Sequence, residues 1–322
     1  MRQAGGCPAA RTQSRLMAPP NLQSGLIVAN YGRHFLVESA SGERRICHSR
    51  GKKSLGVVGD RVLWQASQDE GTIEKIEPRR NLFYRQDEVR TKSFAGNLDQ
   101  VLILIAAEPE FSSSQLSRAL IAAEEQHITP IIALNKSDLA EPFARAWAWL
   151  APYRQMGYDV LPLAMVHKTE TDRDALLQRL TGKTTLVLGP SGAGKSTLIN
   201  CLIPGALAQT GELSQALNSG KHTTTSTTWY WLDETKNTAL LDSPGFQEFG
   251  LNHIDPAQLA AYMPDLKPHV AHCKFYNCSH LHEPGCGVMA SVKSTTSADG
   301  ISANRYKIYG DLYAELKRIR HY

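Results

Sequence analysis

Short segments that alternate apolar and polar side chains fill residues 22–80, and Gly, Asn, Asp and Ser occupy the turns between them. A two-residue alternation bounded by turn residues is typical of half-buried β-strands. The pattern predicts five strands, at residues 26–29, 35–39, 45–47, 61–65 and 72–76. Five strands in about 60 residues indicate a small closed barrel, for which an OB-fold is the first candidate and an SH3-like barrel the second.

From Asn97 onward, mostly apolar segments alternate with amphipathic segments of helical period. The apolar segments predict strands at residues 101–107, 130–134, 160–164, 185–188 and 239–241. The amphipathic segments predict helices near residues 115–126, 143–155, 174–180 and 195–203. This alternation indicates an α/β domain whose mostly parallel sheet is covered on both faces.

These changes of pattern divide the chain into five predicted parts. They are a basic flexible arm (1–21), the barrel (22–80), a linker (81–98), the α/β domain (99–250) and an irregular, cysteine-containing domain that ends in a helix near 303–320 (251–322). Met17 begins a Met-Ala-Pro-Pro run that resembles an N-terminus, so the sequence leaves open whether the native start is Met1 or Met17.

Composition narrows the class of protein. The chain is 42% hydrophobic and 20% charged, and none of its apolar runs approaches the about 20 residues of a membrane helix. We therefore expect a cytoplasmic monomer without a membrane partner. The net charge is only +4, but basic residues concentrate at 44–53 and 79–92, where they form either solvated faces or nucleic-acid contacts.

Residues 189–196, the phosphate loop, match the Gly-x4-Gly-Lys-Ser pattern and lie between a predicted strand and a predicted helix. Backbone N–H groups of such a loop turn toward phosphate oxygens, and the following helix directs its positive dipole end there. Lys195 would reach the β and γ phosphates, which also makes it a candidate catalytic residue, and Ser196 would ligate Mg²⁺. The candidate nucleotide ligands are Gly189, Pro190, Ser191, Gly192, Ala193, Gly194, Lys195, Ser196 and Thr197.

The base-recognition motif, Asn135-Lys136-Ser137-Asp138, follows another predicted strand. Asp138 can accept hydrogen bonds from guanine N1–H and the exocyclic amine, whereas adenine would leave the carboxylate unpaired. Asn135 would brace the base edge and the phosphate loop, and the stem of Lys136 would cover the base. The alternative to a GTP-binding protein is an adenine-specific kinase or ATPase. Such an enzyme would not need a motif that recognises guanine.

Two further segments complete a nucleotide site. Asp242-Ser243-Pro244-Gly245 ends a predicted strand, so Asp242 would hold Mg²⁺ through water and the Gly245 N–H would sense the γ-phosphate. Thr224, in a polar run at 220–225, would supply a hydroxyl to Mg²⁺. Taken alone, residues 242–245 could equally be an ordinary turn after a strand, and residues 220–225 could equally be a solvent-exposed loop.

The order of these elements along the chain is unusual, because base recognition precedes phosphate binding. Joining the usual termini of a GTP-binding domain and cutting it after Gly245 gives this order while leaving the sheet unchanged. The sequence therefore predicts a circularly permuted P-loop GTPase domain. A segment at 246–251 then connects the nucleotide site directly to the C-terminal domain.

The chain resembles the circularly permuted GTPases, and most closely the bacterial small-subunit-dependent GTPases of RsgA (YjeQ) type. The resemblance covers residues 22–290 and is carried by VVGDRV, NLDQVLIL, NKSDL, GPSGAGKSTLIN, GKHTTT, LLDSPGFQEFGL and CKFYNCSHLHEPGC. It implies an OB-fold barrel, a permuted GTPase domain and a C-terminal zinc-binding domain. It also implies GTP hydrolysis stimulated by the small ribosomal subunit, whose 16S-type rRNA and ribosomal proteins are the expected partners, and a role in late maturation of that subunit.

Catalysis departs from that of Ras-like proteins, because Phe246 stands where those proteins have a water-orienting Gln. The resemblance implies that His222 positions the attacking water instead, with Gln247 as a second candidate. A non-hydrolysing RNA-binding module that uses GTP structurally is the remaining alternative. The chain also has Leu163-Ala164-Met165 where the family commonly has Ser-Ala near the base.

Three cysteines crowd the C-terminal domain with the spacing Cys273-x4-Cys278-x-His280-x5-Cys286. Clustered cysteines in a cytosolic chain favour metal over disulfides, and three thiolates with one imidazole complete a structural zinc shell. His282 is close enough in sequence to be the imidazole ligand in place of His280. The family pattern favours His280. We expect GTP or GDP, Mg²⁺ and one structural Zn²⁺ as cofactors.

Overall fold

The structure, a computed structural model, describes residues 22–50, 56–88, 90–167, 169–206, 227–243, 249–293 and 300–319. Within these ranges, every helix is either too short or too polar to cross a membrane.

The N-terminal part is a closed barrel of five strands. These are β1 (Gln23–Tyr31), β2 (His34–Ser39), β3 (Arg44–Ser49), β4 (Arg61–Ala66) and β5 (Gly71–Ile76). They follow the order β1-β2-β3-β5-β4, and β4 pairs back with β1 to close the ring. Apolar side chains such as Phe35, Val62 and Trp64 point inward and are buried. The predicted closed barrel is confirmed, and each strand lies within two or three residues of its predicted bounds.

Residues 82–96 differ from the prediction of a linker. They form an antiparallel hairpin of β6 (Leu82–Gln86) and β7 (Thr91–Gly96). Phe83 and Phe94 are buried and pack against Phe249, with ring centroids 5.7 and 6.0 Å from it. Apolar residues placed to bury one face therefore give this segment a fixed structure.

The α/β domain contains a sheet in the order β10-β9-β8-β11-β13-β12. Its strands are β8 (Gln100–Ala106), β9 (Thr129–Asn135), β10 (Asp159–Pro162), β11 (Thr184–Leu188), β12 (Thr228–Trp231) and β13 (Ala239–Asp242). All neighbours are parallel except β12, which runs antiparallel to β13. The carboxyl ends of the parallel strands meet at one edge, where ligands bind in such sheets.

Helices cover both faces of this sheet. They are α1 (Ser113–Glu125), α2 (Ala140–Trp149), α3 (Ala151–Gln155), α4 (Glu170–Leu180) and α5 (Lys195–Leu202). Alternate residues of β8 point to opposite faces, with Ile103 in the core that includes α1 and Leu104 in the core that includes α4 and α5. The single helix predicted at 143–155 is two helices, because Pro152 has no N–H with which to continue the hydrogen bonds of α2.

The C-terminal part consists of short elements and one long helix. They are a 3-10 helix (Pro256–Tyr262), α6 (Lys267–Val270), α7 (Gly287–Ala290), the parallel pair β14 (Val292–Lys293) and β15 (Ile301–Ser302), and α8 (Ala303–Ile319). At the start of α8, Arg305 forms two hydrogen bonds with Asp265 and a third with Ser117 of α1. This contact fastens the C-terminal part to the α/β domain.

The barrel also joins the α/β domain through its backbone. Strand β1 pairs antiparallel with β12, and Ala29 lies opposite Thr228. The barrel and the α/β sheet therefore form one continuous run of eleven strands.

Candidate nucleotide site and metal cluster

The phosphate loop connects β11 to α5, as the motif requires. Gly192 and Gly194 have φ values of +83° and +97°, in the left-handed region that glycine tolerates best. A Cβ added to Gly194 would lie only 2.3 Å from Asn135 Nδ2. The loop therefore needs glycine here both for its backbone conformation and for space.

Asn135 brings the base-recognition motif and the phosphate loop together. Its side chain is 4% exposed. The Nδ2 group donates to the Ala193 carbonyl at 2.9 Å, and Oδ1 accepts from the Met165 N–H at 3.1 Å. One buried amide thus joins the ends of β9 and β10 to the phosphate loop.

The rest of the base-recognition motif lies beside this bridge. Lys136 has a φ of +67°, and its Nζ donates to the Glu108 carbonyl at 2.5 Å. The Asp138 side chain is 26% exposed, with the His167 Nε2 atom 4.0 Å from its Oδ2. Sequence reasoning missed Glu108 and His167 as neighbours of the motif, because neither belongs to a recognisable pattern.

The loop after β10 replaces the serine of the family pattern with apolar residues. Leu163 and Met165 are buried, and the Leu163 carbonyl accepts from the Ser137 N–H at 2.9 Å. The Ala164 N–H donates to Asp172 Oδ2 at 3.1 Å. Backbone groups and an acid from α4 therefore hold this loop against the base-recognition motif.

Lys195 and Asp242 form an ion pair between the phosphate loop and the end of β13. The Nζ and Oδ1 atoms are 2.6 Å apart, and both side chains are largely buried. Burial raises the pKa of the Asp242 carboxyl above its ordinary value, and the charge and hydrogen bond of Lys195 offset part of that rise. Next to Asp242, the buried Ser243 hydroxyl donates to the Val187 carbonyl at 2.6 Å.

The other predicted nucleotide residues fall into two groups. Ser191, Ser196 and Thr197 are exposed around the start of α5, where their side chains can reach a ligand. His222, Thr224 and Gly245, together with Phe246 and Gln247, lie outside the described residues.

The predicted metal ligands form one cluster. The Sγ atoms of Cys273, Cys278 and Cys286 and a ring nitrogen of His280 lie within 4.8 Å of one another. His280 directs Nδ1 at the cluster, 3.4 Å from Cys273 Sγ and 3.6 Å from Cys286 Sγ. Its neighbour His282 is 79% exposed and contacts Glu283 instead.

The chemistry of the cluster is compatible with zinc. Three thiols and one imidazole match the donors and number of a closed tetrahedral shell. Burial lowers the pKa of His280, which favours the neutral imidazole that ligates metals. Glu283 accepts a hydrogen bond from the Ser279 N–H at 2.8 Å and so fixes the loop that carries Cys278 and His280.

Solved structures share this architecture. The crystal structure of YjeQ from Thermotoga maritima has a TM-score of 0.69 and 26% identity, covering 92% of this chain and 99% of that chain. The structure of YloQ, described as a circularly permuted GTPase, has a TM-score of 0.67 and 27% identity, covering 96% of this chain and 98% of that chain. The permuted order predicted from the motifs is confirmed.

Sequence relatives match the whole chain. A protein of Variovorax paradoxus named small ribosomal subunit biogenesis GTPase RsgA is 67% identical over 323 residues, 100% of both chains. A protein of the same name from Burkholderia pseudomallei is 48% identical over 315 residues, 97% of this chain and 96% of that protein. The family described as RsgA GTPase matches residues 76–252. With this match over more than half its length, and with relatives so similar from end to end, the chain belongs to the RsgA GTPase family.

Proposed function

We propose that this protein hydrolyses GTP to GDP and phosphate during biogenesis of the small ribosomal subunit, and that the subunit stimulates the reaction. The contact that carries the proposal is the Asn135 amide, which joins the base-recognition motif to the phosphate loop. Two motifs that are separate in sequence thereby serve a single nucleotide. The relatives' names supply the ribosomal context.

Nucleotide recognition divides between three strand ends. Asp138 accepts the two N–H donors of guanine, and Lys136 covers the base. Backbone N–H groups of the phosphate loop, which Pro190 lacks, and the Lys195 ammonium bind the phosphates. Lys195 would then exchange its ion pair with Asp242 for the phosphate oxygens, and Ser196, together with Asp242 acting through water, would hold Mg²⁺. Bound Mg²⁺ supplies positive charge against the developing charge of phosphoryl transfer.

Three residues outside the described ranges complete the proposed chemistry. Thr224 ligates Mg²⁺, the Gly245 N–H senses the γ-phosphate, and His222 positions the attacking water. With Phe246 in place of a water-orienting glutamine, hydrolysis without the subunit is expected to be slow.

The Cys273, Cys278, His280 and Cys286 cluster binds one structural Zn²⁺ in this proposal. Between residues 267 and 285 none of the apolar side chains is buried, so the metal would stabilise a segment that has no apolar core of its own. The closed barrel offers a surface for 16S-type rRNA and ribosomal proteins. We propose a cytoplasmic monomer that contacts the subunit and no membrane.

Turnover of GTP across a titration of purified small subunits tests the function. Stimulation by small subunits, but not by large subunits at the same concentration, supports the proposal. We expect Lys195→Ala to abolish nucleotide binding, and His222→Ala to reduce stimulated turnover while nucleotide binding is retained. Preferential binding of ATP in competition would contradict the proposal and favour a kinase or ATPase. Absence of stimulation in the wild-type protein would favour the RNA-binding module.

A further inference from the structure

Glu38 lies at the junction between the barrel and the α/β domain. It is on β2 of the barrel, yet its side chain is only 5% exposed. The carboxylate accepts hydrogen bonds from Lys236 Nζ at 2.7 Å, Arg44 Nε at 2.8 Å and Trp231 Nε1 at 2.9 Å. Only Arg44 belongs to the barrel, whereas Trp231 ends β12 and Lys236 lies in the turn before β13.

A buried carboxylate is costly unless its oxygen atoms are paired. Burial tends to raise the pKa of Glu38, but the hydrogen bonds from Lys236, Arg44 and Trp231 outweigh it and hold the pKa below its ordinary value. Two of those three donors are lost if the barrel moves away from the α/β domain. The charge therefore favours one fixed arrangement of the two domains.

Hydrogen bonds to Asp233 hold the turn that contains Lys236. Asp233 accepts hydrogen bonds from the Thr235 hydroxyl and from the N–H groups of Asn237 and Thr238, at 2.5, 3.0 and 2.7 Å. Lys236 has a left-handed φ of +56°, and a Cβ on Gly42 of the barrel would lie 3.0 Å from its Nζ. The turn thus presents Lys236 to Glu38 in a defined position.

The same junction leads directly to the nucleotide site. Ala29 of β1 lies opposite Thr228 of β12, and Thr228 lies opposite Asp242 of β13. Adjacent strands are about 4.8 Å apart, so the barrel backbone is about 10 Å from the strand position of Asp242. Asp242 contacts Lys195 of the phosphate loop.

We propose that Glu38 is a positioning residue that couples the barrel to the nucleotide site. By fastening β2 to the turn between β12 and β13, it makes the barrel and the Asp242 strand move as one body. A partner bound to the barrel then acts on Asp242 and Lys195, and the nucleotide state acts on the barrel in return, because coupling between two sites is reciprocal. The identity of that partner as the small subunit rests on the proposed function, whereas the coupling does not.

Hydrogen exchange without subunits tests the coupling. We expect amide protection of residues 23–39 to differ between the GDP-bound protein and the protein bound to a non-hydrolysable GTP analogue. In Glu38→Gln, which keeps the shape but loses the charge, this difference should vanish while the difference at residues 189–197 remains. Equal protection of the wild-type barrel in the two states, or a difference that survives in Glu38→Gln, overturns the proposal.

Subunit-stimulated turnover gives an independent measurement. We expect Glu38→Gln to lower the fold-stimulation by about tenfold, with turnover in the absence of subunits unchanged and with a smaller difference in subunit affinity between the GTP-bound and GDP-bound proteins. Glu43→Gln is the matched control, because Glu43 is an exposed barrel acid that pairs with Arg45 of the same barrel. Unaltered stimulation in a folded Glu38→Gln protein overturns the proposal. The proposal is also overturned if Glu38→Gln lowers turnover without subunits as much as it lowers turnover with subunits.

Two conservative variants test the same coupling in case Glu38→Gln does not fold. Lys236→Gln and Trp231→Phe each remove one donor from the α/β side and leave the Glu38 side chain intact. Both should reduce the barrel exchange difference, and if neither does so the proposal is wrong. A wild-type protein that shows the exchange difference but no subunit stimulation would support the coupling and contradict the proposed ribosomal function.

Discussion

Two structural requirements, a left-handed backbone and the lack of space for a side chain, favour glycine at position 194. Its φ of +97° suits glycine, and Asn135 Nδ2 occupies the space that a side chain would need. Gly194→Ala should therefore strain the backbone and displace Asn135 from the Ala193 carbonyl. Since a hydrogen bond of this kind contributes about 1 kcal/mol, we expect guanine-nucleotide affinity to fall about fivefold or more, measured by calorimetric titration.

Gly205→Ala is the control for backbone strain alone. Gly205 has a φ of +83°, but an added Cβ would meet nothing within 4 Å. Both variants should lose about 1–2 kcal/mol of folding free energy from the left-handed conformation. Equal nucleotide affinity in the two variants would show that the Asn135 contact does not organise the site.

Asp138 determines which base is bound. An amide at this position cannot accept both guanine N–H donors, but it can donate to the extra carbonyl of xanthine. Asp138→Asn should lower GTP affinity by about 100-fold and raise XTP affinity, because hydrogen bonds to a charged group are the stronger ones. Competition between the two nucleotides measures the change, with the exposed Asp174→Asn as control. Unchanged base preference would remove Asp138 from base recognition.

Single residues show where prediction from sequence succeeds and where it ends. Asn135 was expected to brace the phosphate loop, because a strand-end motif limits where its side chain can reach, and the contact with Ala193 agrees with that expectation. The left-handed conformation of Lys136 and its bond to the Glu108 carbonyl were not predicted. Such contacts depend on where a neighbouring loop lies in the folded protein. The sequence near Lys136 does not determine the position of that loop.

Among the elements, the metal cluster gives the clearest experiment. His280→Ala removes the imidazole whose Nδ1 faces the cysteine Sγ atoms, so we expect lower zinc content and earlier melting of the C-terminal part. His282→Ala is the matched control, since that side chain is 79% exposed. Metal analysis and thermal unfolding with and without a chelator measure both effects. Full zinc content in His280→Ala, or a loss in His282→Ala, would reassign the ligand.

The elements that sequence reasoning missed share a physical cause. The hairpin of β6 and β7 lies in a charged segment, and its strand character comes from Phe83 and Phe94, which pack on a residue from another part of the chain. Strand β12 has only four residues, Thr228–Trp231, of which Tyr230 and Trp229 are buried on opposite faces of the sheet. Short or strongly charged segments carry little periodicity, so tertiary contacts decide their structure.

At the scale of the whole molecule, the fold changes the interpretation of the two basic blocks at residues 44–53 and 79–92. Six arginines of these blocks have acidic partners inside the protein: Arg44, Arg45, Arg50, Arg79, Arg80 and Arg85 pair with Glu38, Glu43, Glu74, Asp60, Asp99 and Asp87. Several of these partners are distant in sequence, so charge clustering alone could not reveal them. Ion pairs within the protein therefore balance part of the charge of these blocks, which the sequence assigned either to solvated faces or to nucleic-acid contacts.

Arg305 holds the C-terminal part against the α/β domain and gives the last prediction. It is 3% exposed, and its guanidinium contacts both carboxylate oxygens of Asp265 and the Ser117 hydroxyl. Arg305→Met keeps most of the volume but leaves the buried Asp265 unpaired, which should cost about 3–5 kcal/mol of unfolding free energy. The Arg179–Asp159 pair has similar geometry but is more exposed, so Arg179→Met should cost at most about 1 kcal/mol. Denaturant unfolding of both variants makes the comparison. Because the difference between them is attributed to burial, equal losses would mean that Asp265 finds another partner and that the two domains do not depend on Arg305 for their attachment.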